Sequence, residues 1–325
     1  MRIGVLGAAR IAPAALMKPA QVVAGVEVGA VAARDRGRAD AFAARYGVRT
    51  AYGSYADLLA DPSLDAVYIA LPNGLHAQWT LAALAAGKHV LCEKPFTSNA
   101  AQAREVAAFA EGSGLVVMEA FHYRYHPLAQ RMTEVVGSGE LGRIQRVETS
   151  MCFPLPRFSD IRYDFGLAGG ALMDAGCYAV HCLLLLAPGE PTVTAAQALT
   201  IKRDRRIDRA ISAQFSFPGG ATGQLRASMW SRTLLQIRAR VIGEYGTLTV
   251  NNFLAPQLFS RFTVTANGRR RRERFDGEAT YVHQLRAFAA AVRGEPTNLT
   301  PPADSVATMS LIDDIYRAAG LPLRT

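Results

Sequence analysis

The chain predicts an α/β fold in two parts, an N-terminal doubly wound parallel sheet followed by an α+β domain on a largely antiparallel sheet. Two observations carry this. Up to about residue 120, short apolar runs alternate with alanine-rich helical stretches, as in a parallel sheet crossed over by helices. From Ile144 onward, runs of period two follow one another with tight turns such as Pro218-Gly219-Gly220, which suits antiparallel neighbours. We place the boundary at residue 121, giving parts 1–121 and 122–325.

The first strand, Arg2 to Leu6, runs into Gly7-Ala8-Ala9-Arg10-Ile11-Ala12-Pro13. This is a dinucleotide-binding fingerprint with Gly7, Ala9 and Ala12 at the three glycine positions, which makes the N-terminal part a Rossmann domain. A small residue at the second position lets the backbone approach a pyrophosphate, and Pro13 suits the first turn of the helix whose free N–H groups would face it. Gly7, Ala8, Ala9, Arg10 and Ile11 are therefore expected cofactor contacts. The second strand, Val26 to Ala33, ends in Arg34-Asp35-Arg36-Gly37-Arg38. NAD-preferring domains place a carboxylate at this strand end to meet the ribose hydroxyls. Here Ala33 stands there, with Arg34 next and Arg38 a turn later, and arginine forks match a 2′-phosphate. NADP is the expected cofactor. Asp35 keeps NAD open, because a one-residue shift in the turn would bring it to the ribose.

Strands Val67 to Ala70, His89 to Cys92 and Leu115 to Ala120 alternate with helices Leu75 to Ala86 and Asn99 to Glu111. The strand His89 to Cys92 delivers Glu93-Lys94-Pro95 at its carboxyl end, where ligands bind in open α/β sheets. A lysine there serves as a cationic donor or a proton-transfer group, or is a loop residue on the surface.

In the second part, strands Thr192 to Thr200, Ile211 to Phe217, Thr222 to Trp230, Leu235 to Ile242 and Thr247 to Asn251 precede a hairpin turning at Asn267-Gly268. Helices Tyr281 to Val292 and Ala303 to Ala319 follow, the second with Val306, Met309, Ile312 and Tyr316 on one face. Between them in importance is the helical stretch Leu167 to His181. Asp174, Tyr178 and His181 are spaced i, i+4, i+7 and so share a face. An acid, a phenol and an imidazole on one stripe can handle protons, or Asp174 is an N-cap and the other two are core residues with satisfied tips.

Composition narrows the classes. The apolar fraction of 50% and charged fraction of 19% are globular values. No run is expected to span a membrane, and the first strand begins at residue 2, leaving no room for a signal peptide. Four cysteines without metal spacing predict a reduced, cytoplasmic protein and no metal site. The net charge of +9 invites nucleic acid, but its one dense run, Arg269 to Arg272, follows the Asn267-Gly268 turn and reads as a solvated hairpin.

The chain resembles the Gfo/Idh/MocA oxidoreductases over essentially its whole length. The resemblance lies in the Gly7 turn, Leu71-Pro72-Asn73 with His76, Glu93-Lys94-Pro95, Met118-Glu119-Ala120 and the Asp174 to His181 helix. Ala32-Ala33-Arg34-Asp35, Ala51-Tyr52-Gly53-Ser54-Tyr55 and Asp174-Ala175-Gly176-Cys177-Tyr178 make it most similar to the dimeric dihydrodiol dehydrogenase branch. The resemblance implies a C-terminal domain on an open sheet whose face forms a homodimer or homotetramer. It implies cofactor contacts at Leu71, Pro72, Asn73, His76, Glu93 and Lys94, and makes Lys94 the catalytic lysine. Many members carry histidine four residues after the aspartate. Tyr178 stands there instead, as in dihydrodiol dehydrogenases and glucose–fructose oxidoreductases, with His181 where sugar-oxidising members often have a second polar residue.

Under that reading a small-molecule secondary alcohol loses a hydride to the nicotinamide and a proton to Tyr178, whose pKa a nearby Lys94 lowers from about 10. Asp174 orients Lys94 or the substrate. Arg124 and Arg162 are substrate contacts or salt-bridged structural arginines. Two functions are kept: an NADP-dependent dehydrogenase or reductase of a sugar, cyclitol, dihydrodiol or related compound, and a non-catalytic dinucleotide-binding regulator of the same fold.

Overall fold

The computed structural model describes Met1–Thr325. Its contacts divide the chain into two units, Met1–Tyr125 with Tyr281–Val306, and His126–Thr280 with Ala307–Thr325.

The first unit is built on six parallel strands: β1 (Arg2–Leu6), β2 (Glu27–Ala32), β3 (Thr50–Tyr52), β4 (Ala66–Ile69), β5 (His89–Cys92) and β6 (Val117–Glu119). Their order is β3-β2-β1-β4-β5-β6, the doubly wound arrangement expected from the alternating pattern. Residues of β1 and β4 are buried almost throughout, as strands covered on both faces must be. A wide π-type turn, Pro13–Met17, leads into α1 (Lys18–Ala20) after β1. The other crossovers contain α2 (Arg36–Tyr46), α3 (Tyr55–Leu59), α4 (His76–Ala85) and α5 (Ala100–Ser113). Side-chain caps start three of these helices: Asp35 takes the Arg38 N–H, Ser54 the Asp57 N–H and Asn99 the Gln102 N–H.

Strand order reverses between β1 and β4, so the loops after these strands open the crevice of the sheet. Gly7 occupies the first loop at φ +102°, where a Cβ would lie 2.7 Å from the carbonyl oxygen of Ala70. Only glycine lets β1 turn this close to the end of β4. The outer edge of β6 is closed by the returning segment 281–306. Asn298 Nδ2 donates to Val117 O at 2.8 Å, the Glu119 N–H to Thr300 O at 3.1 Å, and Thr300 Oγ1 to Glu119 O at 2.7 Å.

The second unit holds α6 (Pro127–Gly137), β7 (Ile144–Cys152), α7 (Cys177–Leu186), and strands β8 (Thr192–Thr200), β9 (Asp208–Ser216), β10 (Thr222–Ser228), β11 (Gln236–Gly243), β12 (Gly246–Asn251), β13 (Arg261–Ala266) and β14 (Arg269–Glu273). Helix α8 (Thr280–Val292) precedes α9 (Pro302–Ala318), whose residues from 307 onward belong here. The strands order as β14-β13-β12-β11-β7-β10-β9-β8. Only β7 and β10 pair in parallel, so the sheet is mostly antiparallel, as the period-two runs predict.

One face of this sheet is apolar. Val147, Leu225, Ala239 and Val250 are buried, and Thr149 Oγ1 donates to Ala179 O at 2.9 Å, which ties α7 across it. The other face is polar: Glu148 bridges Arg146 on its own strand at 2.7 Å and Arg240 of β11 at 3.8 Å, while Arg146 donates to Gln224 of β10 at 2.9 Å. The basic run forms β14, hydrogen-bonded to β13 around Asn267 and Gly268, both at positive φ. Arg269 to Arg272 are exposed, as expected of a solvated hairpin, and Arg271 holds Glu140 through two hydrogen bonds of 2.6 and 2.7 Å.

Two expectations need correction. The helical stretch expected from Leu167 is broken by Ala168 and Gly170, both at positive φ, and begins at a π-type turn, Leu172–Gly176, that runs into α7. The second concerns membranes: Phe165–Leu186 reaches membrane-span length and a mean hydropathy of 1.5, although no such run was expected. Of that window 83% is buried within the protein, which marks it as a core segment.

Candidate active site

In the first unit the candidate groups gather at the carboxyl ends of β1, β2, β4 and β5. Ala8 and Ala9 are half-buried, while Arg10 and Ile11 reach solvent. Arg34, just past β2, lines a cleft of about 350 Å³ with Gly53, Ser54, Tyr55, Leu75 and Trp79. Tyr55 and Trp79 meet edge to face, their ring centres 4.9 Å apart. Asp35 does not compete for this cleft, because its carboxylate accepts the Arg38 N–H at 2.7 Å and so caps α2. Arg38 enters through that main-chain bond and is not among the lining residues. The cleft is an aromatic-walled recess with one guanidinium at its rim.

Lys94 follows β5, as expected, and its peptide with Pro95 is cis. Around it stand two buried acids and two buried imidazoles. Glu93 accepts the Tyr68 hydroxyl at 2.6 Å and the Lys94 N–H at 3.3 Å. Burial raises the Glu93 carboxyl above its ordinary range, opposed by the Lys94 charge. Glu119, at the end of β6, accepts the Phe96 N–H at 2.9 Å. Burial, with Asp304 as a nearby like charge, pushes it up to about 8, so it is largely neutral at pH 7. His122 is pushed down to about 3 by burial and then by the Lys94 charge. Its ring lies 4.1 Å from that of Tyr281, whose phenol is raised by burial.

His76, an expected cofactor contact, is fully buried beneath these loops. Its Nε2 faces Leu71 O at 2.8 Å and its Nδ1 faces Pro95 O at 2.7 Å. Burial lowers its pKa, so the neutral ring donates to one carbonyl at a time. His76 thus joins the loop after β4 to the turn after β5. Leu71 is buried and Pro72 and Asn73 half-buried in that loop. Arg124 sits half-buried in the short turn His122–Tyr125.

In the second unit, the π-type turn widens the helix so that residues four to five apart stack on one face. Asp174 lies in this turn, Tyr178 four residues later in the first turn of α7, and His181 three residues further on. All three are buried. Arg162 is half-exposed and holds Asp160 at 3.1 Å and Asp174 at 3.7 Å. It is therefore a salt-bridged arginine beside the acid. Tyr163, next to it, donates to Leu155 O at 2.8 Å and is pushed up to about 12 by burial.

Sequence reasoning missed several members of these clusters. Glu119 had a readable signal, an acid inside the apolar run Val116-Val117-Met118-Glu119-Ala120-Phe121. Tyr55 stood in the quoted run Ala51 to Tyr55 without an assigned role, and His122, Tyr281 and Trp79 had no signal, since ordinary aromatic positions gain meaning only from what the fold sets beside them.

Comparison with known proteins matches residues 1–121 to an oxidoreductase family model with an NAD-binding Rossmann fold, and residues 129–249 to a GFO/IDH/MocA C-terminal domain. D-xylose 1-dehydrogenase (NADP(+)) 2 of Haloferax volcanii is 41% identical over 98% of this chain and 97% of its own. Trans-1,2-dihydrobenzene-1,2-diol dehydrogenase of Mus musculus is 36% identical over 71% of this chain and 68% of its own. A 3-ketoreductase from Actinomadura kijaniata, solved with NADP and TDP-benzene, superposes with a TM-score of 0.89 at 30% identity, covering 98% of this chain and 97% of its own. That enzyme has also been solved with a lysine changed to alanine and with a tyrosine changed to phenylalanine.

The raised Glu119 carboxyl makes stability depend on pH. Between the ordinary value of 4.5 and about 8 the unfolded chain ionises this group while the folded chain keeps it protonated. Its stabilisation is thus complete below about pH 4.5 and is lost as pH rises toward 8. Glu119→Gln carries no such proton, so its Tm relative to wild type is expected to climb by a few degrees between about pH 5 and pH 8.5. A difference in Tm that is flat across that range would show the carboxyl to be ionised throughout.

Proposed function

Because the chain belongs to the Gfo/Idh/MocA oxidoreductases, we infer that it is an NADP-dependent dehydrogenase or reductase acting between the secondary alcohol and the ketone of a sugar, cyclitol, dihydrodiol or related compound. The observation that carries the site assignment is Lys94, which stands at the carboxyl end of β5 among buried Glu93, Glu119, His76 and His122. A non-catalytic regulator has no support, since the relatives are enzymes and Lys94, Asp174 and Tyr178 are all in place.

The first unit fits the dinucleotide. Gly7 leaves open the space that a Cβ would fill at the turn after β1, and the Gly7–Ile11 loop would take the pyrophosphate. Arg34 would pair with the 2′-phosphate at the rim of the aromatic cleft. Leu71, Pro72, Asn73, Glu93 and Lys94 would border the remainder, held in register by His76 from below. When bound, NADP supplies or accepts the hydride.

The chain's own groups manage the proton. Tyr178 gives its phenolic proton to the carbonyl oxygen in reduction and takes it back in oxidation. Lys94, as a fixed cation, favours negative charge developing on that oxygen. Asp174 is oriented by Arg162 and fixes the turn from which Tyr178 projects. The lysine and tyrosine varied in the Actinomadura enzyme are separated in sequence by the same interval as Lys94 and Tyr178, which supports pairing these two roles.

Four buried cysteines that form no disulfide suit a reducing, cytoplasmic setting. We assign the polar open face of the β7–β14 sheet as the contact for a homodimer or homotetramer. A solution mass of 35.0 kDa, that of one chain, would contradict this.

Three variants test the site. Tyr178→Phe and Lys94→Met should each lower kcat roughly 100-fold or more with NADPH affinity unchanged. Arg34→Ala should weaken NADP binding and leave NAD binding nearly as it was. Undiminished turnover in Tyr178→Phe would move the proton to His181 or to water, and tighter wild-type binding of NAD than of NADP would overturn the cofactor assignment.

A further inference from the structure

A wholly buried ion pair lies beneath the entrance to α7. Arg324 and Asp208 are separated by 116 residues, and neither side chain touches solvent. Arg324 Nη2 donates to Asp208 Oδ1 at 2.7 Å, Nε to Gly169 O at 2.7 Å, and Nη1 to Pro322 O at 2.9 Å. Asp208 Oδ1 also accepts the Tyr316 hydroxyl at 2.9 Å, and Oδ2 accepts the Leu172 N–H at 2.7 Å. The guanidinium is stacked on the Tyr316 ring, 4.1 Å from its centre. Each charge is thus met by several short hydrogen bonds, the condition under which a buried pair is tolerated.

The pair grips the chain on both sides of Gly170, at the Gly169 carbonyl and at the first N–H of the π-type turn. Gly170 adopts φ +139°, and a Cβ there would collide with Asp208, Arg324 and the Tyr316 hydroxyl together. The same two glycines are tied from the opposite direction. The Gly169 N–H donates to Asp164 O and the Gly170 N–H to Arg162 O, both at 2.8 Å, while the Asp174 N–H donates to Gly170 O at 2.9 Å. Residues 169–170 therefore join the loop that carries Arg162 to the turn that carries Asp174. Replacing a buried ion pair by apolar residues often costs no stability, so stability alone does not account for one here.

We propose that Arg324, acting through Asp208, is a positioning residue for the reaction: it sets the register of the Leu172–Gly176 turn, and with it Asp174 against Arg162 and Tyr178 one turn on. This rests on the reading that Tyr178 and Asp174 serve the reaction.

The test uses Arg324→Lys, Arg324→Met and the double variant Asp208→Asn/Arg324→Met. Arg324→Met leaves an unpaired buried carboxylate and should lower Tm. The double variant removes both charges and should recover Tm but not kcat, which stays down roughly 10- to 100-fold with NADPH affinity unchanged. Arg324→Lys keeps the charge but cannot hold Gly169 and Asp208 together. It should fold, lose turnover at least about 10-fold, and exchange the Leu172 amide hydrogen faster than wild type. Wild-type kcat in either the double variant or Arg324→Lys would overturn the proposal. A wild type that turns over no ketone or alcohol with NADP would instead sink the parent reading. In that case unchanged Leu172 exchange in Arg324→Lys would still refute the hold, and accelerated exchange would support it.

Discussion

Desolvation of charge is the constraint on which the rest of the structure depends. A cation useful for polarising an oxygen must sit where water is scarce, and there it is tolerated only with matched partners. Lys94, half-buried at the carboxyl end of β5, is the cation proposed for this role. Glu93 offers it a buried carboxyl, while Glu119, pushed up to about 8 by burial, and His122, pushed down to about 3, add little net charge at neutral pH. These partners come from the ends of different strands, and the segment that fastens β6 through Asn298 and Thr300 helps hold Glu119 in place.

The second unit meets the same constraint differently. The turn Leu172–Gly176 and α7 are buried, so the few polar groups they carry need partners. Asp174 faces Arg162, and the turn before it is anchored by Asp208 and Arg324. The π-type turn Leu172–Gly176 carries Asp174 and presents its first N–H to Asp208.

Features decided by neighbours in sequence were legible from the chain. The Gly7 turn, the doubly wound order, the period-two strands, Lys94 after β5 and the apolar α9 face all follow from local pattern. Strand β3 was not visible, because three half-buried residues make no apolar run. The expected helix from Leu167 failed because Gly169-Gly170 break the chain there, where composition still reads as helix. His76 and Arg162 illustrate a second limit: no local pattern shows that His76 lies between two main-chain carbonyls or that Arg162 meets two carboxylates. Asp208 with Arg324, and segment 281–306 with β6, join residues far apart in sequence, and no local pattern encodes such pairs.

The chain is accordingly an NADP-dependent oxidoreductase, for which main-chain turns are the proposed cofactor contacts and buried side chains the proposed proton carriers. The most direct test is isotopic. Wild-type protein is incubated with NADPH deuterated at C4 of the nicotinamide and a panel of keto sugars and related ketones, and the products are examined by mass spectrometry and NMR. Deuterium on the carbinol carbon of at least one product is the predicted result. Tight NADPH binding without deuterium transfer to any of these compounds would contradict it.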